Sequence, residues 1–178
     1  MKIGLTQRVL FHKGRGHDSL DQAWYEYLSA HELVVIPNRL PVSVTDIDVL
    51  IITGGDDHPV RNQVEHEWST WMFSRGLPVI GVCHGCQLLT QRLNGSVVPV
   101  DGHMDSYHEI TYQGQPHLVN SYHKLRIEQP PPGATVLARD PDGYVEAWIL
   151  GRTAGVMWHP ERMIEPWIPE EISCLLGR

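Results

Sequence analysis

The stretch Pro78-Val-Ile-Gly-Val-Cys83-His-Gly-Cys-Gln87 decides the fold. Its first five residues form a short apolar run, as in a strand buried inside a parallel sheet, and a helical repeat of apolar residues begins at Cys86. Gly81 and Gly85 flank Cys83, and small residues at these positions allow a sharp turn from strand to helix. Such a turn lifts Cys83 above the carboxyl end of the sheet, where open α/β folds place their sites.

Strands and helices alternate around this segment. Short apolar runs predict further buried strands, and apolar residues at i, i+3, i+4 spacing predict the helices between them. The strands are predicted at residues 2–5, 33–36, 49–52 and 78–82, and the helices at 20–28, 64–76 and 86–93. We expect Asp18 or Ser19 to cap the first helix. This order predicts a parallel sheet covered by helices on both faces.

The second half of the chain has a different pattern. Its apolar runs are separated by turns rich in glycine and proline, and few of them are long enough for a helix. Strands are predicted at residues 108–112, 118–122, 135–138, 144–149 and 153–158, with one short helix near the end of the chain. We expect these strands to form an antiparallel extension of the parallel sheet.

Composition limits the function. A chain of 178 residues, 42% of them hydrophobic, fits one domain over residues 1–178. The formal charge of −7 argues against nucleic-acid partners and anionic membranes. The N-terminal segment becomes polar within its first few residues and has no signal-peptide core, and no apolar run is long enough to span a bilayer. We therefore expect a cytoplasmic protein. Three cysteines are too few for a disulfide framework.

Cys83 has the setting of a nucleophile. A thiol at the N-terminus of a helix is favoured as thiolate, and the N–H of His84 is placed to stabilise an oxyanion. A base is also required, and His159 ends an apolar strand two residues before Glu161, so both side chains project to the same side. Together these residues predict a Cys-His-Glu triad. Read alone, Cys83 also fits a buried structural cysteine.

The loop Thr53-Gly54-Gly55 follows another buried strand, and its backbone N–H groups can supply a second oxyanion donor. Two alternatives stay open. The residues after the loop, Asp56-Asp57-His58, offer metal ligands. The pair Cys83-x-x-Cys86 also fits a redox dithiol or one half of a zinc site.

Four ordered motifs resemble those of class I glutamine amidotransferases: Thr53-Gly-Gly-Asp-Asp57, Gly81-Val-Cys-His-Gly-Cys-Gln87, Val119-Asn-Ser-Tyr-His123 and Trp158-His-Pro-Glu161. The third motif resembles V-N-S-x-H of the γ-glutamyl hydrolase branch. Asp142-Gly-Tyr-Val-Glu-Ala147 resembles the D-G-x-x-E-A strand of that branch.

The resemblance implies a flavodoxin-like three-layer α/β fold and hydrolysis through a γ-glutamyl thioester. By this resemblance Cys83 attacks the γ-carbonyl, His159 transfers the proton and Glu161 orients His159. The oxyanion hole would consist of the backbone N–H groups of Gly55 and His84. Neither a cofactor nor a metal is expected. The residues that would contact the small-molecule γ-glutamyl substrate are Gly54, Gln87, Asn120, Ser121, Tyr122 and His123.

A narrower resemblance is to γ-glutamyl-CDP-amidate hydrolases, which act in the decoration of surface polysaccharides with phosphoramidate. It is carried by Gly4-Leu-Thr-Gln-Arg8, Ser19-Leu-Asp-Gln-Ala-Trp24, Pro37-Asn38 and Trp158-His-Pro-Glu-Arg162. Under this interpretation the candidates for binding the diphosphate are Arg8, Lys13, Arg15 and Arg61, because guanidinium groups match phosphate geometry. Ordinary surface charge is the alternative for all four.

Three functions therefore compete. The first is a free-standing γ-glutamyl amide hydrolase, either monomeric or a homodimer. The second is a glutaminase subunit that delivers ammonia to a separate synthetase partner. The third is a redox module that uses Cys83 and Cys86.

Overall fold

The computed structural model describes residues 1–177, and its elements follow the predicted alternation in the first half. The strands are β1 Lys2–Thr6, β2 Arg8–His12, β3 Arg15–Ser19, β4 Glu32–Ile36, β5 Val49–Ile52, β6 Val79–Val82, β7 Ser96–Pro99, β8 Ser106–Tyr112, β9 Gln115–Ser121, β10 Leu125–Gln129, β11 Thr135–Arg139, β12 Val145–Leu150 and β13 Thr153–Val156. The helices are α1 Ala23–Tyr27, α2 Pro59–Ser74, α3 His84–Arg92 and α4 Glu170–Ser173, with 3-10 turns at Pro160–Arg162 and Cys174–Leu176.

Within residues 1–177, eleven strands form one mixed sheet. Its parallel part has the order β4-β1-β5-β6-β13, and the antiparallel part continues through β12, β11, β8 and β9, with β10 and β7 attached beside β12. The predicted antiparallel extension is confirmed. The two halves of the chain thus share one sheet, and the single domain over residues 1–178 stays a prediction.

Strand β13 joins the two parts of the sheet. It pairs in parallel with β6, where Val156 lies opposite Val82, and antiparallel with β12, where Val156 lies opposite Ala147. Because β6 leads to Cys83 and β13 leads to His159, this pairing brings two distant parts of the sequence to the same end of the sheet.

The central parallel strands β1, β5, β6 and β13 are buried on both faces, and their side chains alternate between two clusters. On one face, Ile51 packs in a cluster with Trp24 of α1 and Ile172 of the C-terminal segment. On the opposite face, Leu50 packs in a cluster with Trp68 of α2. Helices therefore cover both faces of the sheet. The predicted flavodoxin-like three-layer α/β arrangement is confirmed.

Several elements differ from the sequence prediction. The hairpin of β2 and β3 was not predicted because most of its residues are exposed and none of them is buried. Strands β7 and β10 were also missed. Helix α1 has five residues, not the nine predicted, and the carboxylate of Asp21 accepts from the N–H of Ala23, so neither Asp18 nor Ser19 is its cap. Within residues 1–177, none of the helices is both long and apolar enough to cross a membrane.

Candidate active site

Cys83 lies between β6 and α3 with φ 51° and ψ −105°, a conformation that costs free energy for a residue with a Cβ. Its N–H donates to the carbonyl of Val156 over 2.9 Å. A Cβ on Gly81 would overlap the backbone of Gly85, and one on Gly85 would overlap the carbonyl of Ile52. The two predicted glycines therefore permit the turn by close backbone approach.

His159 and Glu161 lie just beyond β13, at the same end of the sheet. Nδ1 of His159 is 2.7 Å from Oε1 of Glu161, and both side chains are almost fully buried. The geometry makes Nδ1 the nitrogen that faces the carboxylate, so Nε2 is left for Cys83. This is the arrangement by which a carboxylate orients a catalytic imidazole.

Cys83 and His159 interact directly. Burial lowers the pKa of His159, but hydrogen bonds with Cys83 and Glu161, and the negative charges of both groups, raise it to about 9. The structure thus brings the three predicted triad residues together, with 6% of Cys83 exposed.

Asn120 holds the backbone of His159. Its Oδ1 accepts from the N–H of His159 over 2.8 Å, and its Nδ2 donates to the carbonyl of the same residue over 2.9 Å. The side chain is completely buried. The predicted substrate contact of Asn120 is therefore replaced by a positioning role, because its amide faces His159 and not the surface of the site.

The glycine loop lies directly against the imidazole. A Cβ on Gly54 would overlap Cε1 of His159, so the backbone of the loop packs on the ring. Gly55 lies against the side chains of Arg8 and Arg61. The N–H of His84 belongs to the first turn of α3, where backbone N–H groups have no acceptor within the helix. The assignment of the backbone N–H groups of Gly55 and His84 to the oxyanion hole remains a prediction.

Arg61 is completely buried and supports this loop, which corrects its prediction as a phosphate ligand. Its Nη2 donates to the carbonyl of Thr53 over 2.6 Å, and its Nε is 2.8 Å from Oε1 of Glu65. Oε2 of Glu65 is 3.0 Å from Nε2 of His84. Burial raises the pKa of Glu65, but the hydrogen bond from His84 and the charge of Arg61 outweigh burial and lower it. We did not predict this network, although Arg61 and Glu65 have the i, i+4 spacing of a helical ion pair.

The side chains of the other predicted substrate residues make different contacts. The ring of Tyr122 packs edge-on against His159 with centroids 5.4 Å apart. The amide of Gln87 donates to the carbonyl of Leu125 over 3.3 Å. Oγ of Ser121 donates to a backbone carbonyl, that of His103, over 2.7 Å. Ser121 and His123 are both buried, and the imidazole of His123 packs against other histidines, which corrects their prediction as substrate contacts.

The remaining phosphate candidates divide into two groups. Arg8 lines a small cavity next to the triad, together with Gly54, His159 and Arg162. Lys13 and Arg15 lie at the exposed turn of the β2–β3 hairpin. Of these three residues, only Arg8 thus lies beside the predicted triad.

The two alternatives left open by the sequence lose support. Cys86 is completely buried, packs against Gly155, and has a pKa raised by burial, which makes it a poor redox thiol. Oδ1 of Asp57 lies 3.3 Å from Nδ1 of His84, so this carboxylate faces the elbow. The potential metal ligands that the structure gathers lie elsewhere, at His103, His108, His123 and Glu146.

A known protein family matches most of the chain. The family model of class I glutamine amidotransferases, "Glutamine amidotransferase class-I", matches residues 17–173. The chain belongs to this family. This match confirms the resemblance to class I glutamine amidotransferases that the sequence predicts. By its family, the chain is an enzyme of the glutamine amidotransferase type.

Among its relatives, "Anthranilate synthase component 2" of Archaeoglobus fulgidus is 27% identical over 158 residues, 83% of this chain and 85% of that protein. The gamma-glutamyl-CDP-amidate hydrolase of Campylobacter jejuni is 26% identical over 186 aligned positions, 91% of this chain and 90% of that protein. The crystal structure of a glutamine amidotransferase from Thermotoga maritima superimposes with a TM-score of 0.71 at 12% identity, covering 90% of this chain and 76% of that one.

Proposed function

We propose that the protein is a free-standing hydrolase of γ-glutamyl amides that works through a γ-glutamyl thioester on Cys83. The observation that carries the proposal is the contact of Cys83 with His159, whose Nδ1 is 2.7 Å from Glu161. A thiol and an imidazole oriented by a carboxylate are the parts that acyl transfer from an amide requires.

In the first half of the reaction, the thiolate of Cys83 attacks the γ-carbonyl carbon and the C=O electrons move to oxygen. The backbone N–H groups of Gly55 and His84 stabilise this oxyanion. The tetrahedral intermediate then collapses, the C–N bond breaks, and the imidazolium of His159 protonates the departing amine. The product left on the enzyme is a thioester.

In the second half, neutral His159 takes a proton from water, whose oxygen attacks the thioester carbon. A second oxyanion forms in the same place and collapses by breaking the C–S bond. Glutamate is released, and Cys83 and His159 return to the thiolate–imidazolium pair. Glu161 keeps the imidazole oriented through both halves.

For the leaving group we propose CDP-amidate, in the biosynthesis of surface polysaccharide phosphoramidate. Two features support it: the alignment with the Campylobacter jejuni hydrolase, which covers nine-tenths of both chains, and the place of Arg8 in the cavity beside His159. A guanidinium there can bind a diphosphate. Gly54, Gln87 and Tyr122 stay as proposed contacts for the glutamyl portion, and a cytoplasmic location stays a prediction.

The test is glutamate release from γ-glutamyl-CDP-amidate, glutamine and γ-glutamyl-GABA, measured side by side. We expect the first substrate to have the highest kcat/KM. Equal and poor turnover of all three would overturn the CDP-amidate assignment while leaving the thioester chemistry to be judged separately.

The thioester chemistry is tested by labelling with a diazo-ketone analogue of norleucine, which mimics glutamine. We expect one adduct on Cys83, absent in Cys83→Ala and in His159→Ala. Cys174→Ala is the matched control, because Cys174 is an exposed free cysteine and its loss leaves the label in place. An adduct on Cys86 or Cys174 in the unmodified protein would contradict the proposal.

The second candidate function is a glutaminase subunit that needs a synthetase partner. It is favoured by the similarity to "Anthranilate synthase component 2", which extends over 85% of that protein. This function predicts weak glutamine hydrolysis by the isolated chain and a large increase when the partner is added. High turnover of a γ-glutamyl amide by the isolated chain would exclude it.

A further inference from the structure

Three imidazoles and one carboxylate meet at a single point in the antiparallel part of the sheet. His103 precedes β8, His108 lies on β8, His123 follows β9 and Glu146 lies on β12. One potential ligand atom from each residue lies within 4.8 Å of the other three. Nε2 of His108 is 3.8 Å from one oxygen of Glu146, and Nε2 of His123 is 3.9 Å from the other.

Each of the four side chains has a buried polar atom without a hydrogen-bond partner. These atoms are Nδ1 of His103, both ring nitrogens of His108, Nε2 of His123 and Oε2 of Glu146. Buried polar groups in folded proteins are nearly always paired, and unpaired atoms on all four of these neighbouring side chains are unusual. A single atom bound between them would satisfy all four.

The surroundings hold the ligand atoms in a suitable orientation. Nδ1 of His123 donates to the carbonyl of Leu125 over 2.9 Å, which leaves the lone pair on Nε2, the nitrogen nearer Glu146. The carbonyl of His103 accepts from Oγ of Ser121 over 2.7 Å and from the N–H of His123 over 3.1 Å. These contacts fix the loop that carries His103 against the end of β9.

We propose that His103, His108, His123 and Glu146 bind one divalent transition-metal ion, of which zinc is the best match. Imidazole nitrogens and a carboxylate oxygen suit zinc, and four protein ligands are typical of a structural site without a bound substrate. In a tetrahedral site, ligand atoms about 2.0–2.1 Å from the ion lie about 3.4 Å from one another. The potential ligand atoms here lie within 4.8 Å of one another, so small side-chain rotations would bring them to that spacing.

Imidazole binds a metal ion in its neutral form, and the carboxyl group of Glu146 would bind it deprotonated. The site would stabilise the segment between Asn120 and His123, and with it the two hydrogen bonds that hold His159.

The experiment uses the whole protein after treatment with a chelator and removal of the chelator. Zinc is titrated by calorimetry, and cobalt(II) is added to a second sample as a spectroscopic probe. We expect one zinc per chain, visible cobalt bands typical of a four-coordinate site, and a Tm that rises with zinc concentration. No zinc bound at micromolar concentration in the unmodified protein would overturn the proposal.

Variants identify the ligands. His108→Gln and Glu146→Gln are expected to weaken zinc binding at least 100-fold. His66→Gln is the matched control, since His66 is an exposed histidine on α2, and we expect it to bind zinc like the unmodified protein. Cys83→Ala is also expected to retain the zinc. Loss of binding in Cys83→Ala with retention in His108→Gln would place the metal on the thiol and overturn the proposal.

Discussion

The carboxylate of Glu65 lies 3.0 Å from Nε2 of His84, and its other oxygen is 2.8 Å from Nε of Arg61. His84 supplies one proposed oxyanion donor, while Arg61 holds the loop that supplies the other through the carbonyl of Thr53. One buried carboxylate therefore connects both sides of the proposed oxyanion hole.

We expect Glu65→Ala to destabilise the protein by about 3–5 kcal/mol, because it leaves the guanidinium of Arg61 buried without its partner. The free energy of unfolding in urea measures this effect. In Glu65→Gln, which keeps the shape of the side chain, we expect a lower kcat with a smaller change in KM. Glu67→Gln, on the more exposed side of α2, serves as the control, and an equal loss there would refute the role given to Glu65.

Asn120→Ala is expected to lower kcat about 10- to 100-fold, the rate equivalent of the roughly 1–3 kcal/mol lost when a buried backbone group becomes unpaired. The affected groups are the N–H and the carbonyl of His159. Steady-state kinetics measure the effect. Asn120→Asp keeps an acceptor for the N–H but loses the donor, so its kcat should lie between those of Asn120→Ala and the unmodified enzyme. Loss of substrate binding alone, seen as a higher KM at full kcat, would instead support the substrate contact predicted from the sequence.

Gly54→Ala tests the close packing of the loop on the imidazole. The added methyl group would overlap Cε1 of His159, so either the ring or the loop must move. We expect at least a 100-fold loss of kcat/KM, because the imidazole must stay within hydrogen-bond reach of Cys83. Gly16→Ala, in the exposed hairpin, is expected to retain full activity. Nearly full activity in Gly54→Ala would mean that the loop tolerates the displacement.

The raised pKa of His159 predicts how stability depends on pH. Its pKa is about 9 in the folded protein against an ordinary value of 6.5, so the folded state binds the proton more tightly. The resulting stabilisation is fully present below pH 6.5 and is lost as the pH rises through 9. Free energies of unfolding measured across this range should fall for the unmodified protein more steeply than for His159→Gln. Parallel curves would show that His159 does not carry this stabilisation.

Local patterns in the sequence predict the parallel half of the fold and the proposed triad, because each depends on short stretches of residues. The continuous apolar run of Val49–Ile52 identifies a strand buried on both faces, and the spacing of His159 and Glu161 identifies their shared direction. The hairpin of β2 and β3 carries no such signal, since its side chains are mostly exposed.

Contacts between distant segments were not predictable. Asn120 and His159 are 39 residues apart in the sequence. Only the folded sheet shows that the amide of Asn120 pairs with the backbone of His159 and does not face the proposed substrate. The prediction for Arg61 was wrong for the same reason. In the sequence a basic residue near the glycine loop fits a phosphate ligand, and only the structure shows that its side chain is completely buried. The cluster around Glu146 draws on four separate segments, so no single motif reveals it.

The position of β13 has a consequence for biosynthesis. The strand that leads to His159 inserts between β6 and β12, two strands that the ribosome has already produced. Until that strand emerges, β6 is left with an unpaired edge and Cys83 has no base beside it. In the proposed mechanism His159 therefore cannot activate the thiol of Cys83 until β13 has joined the sheet, so the catalytic pair is completed at a late stage of folding.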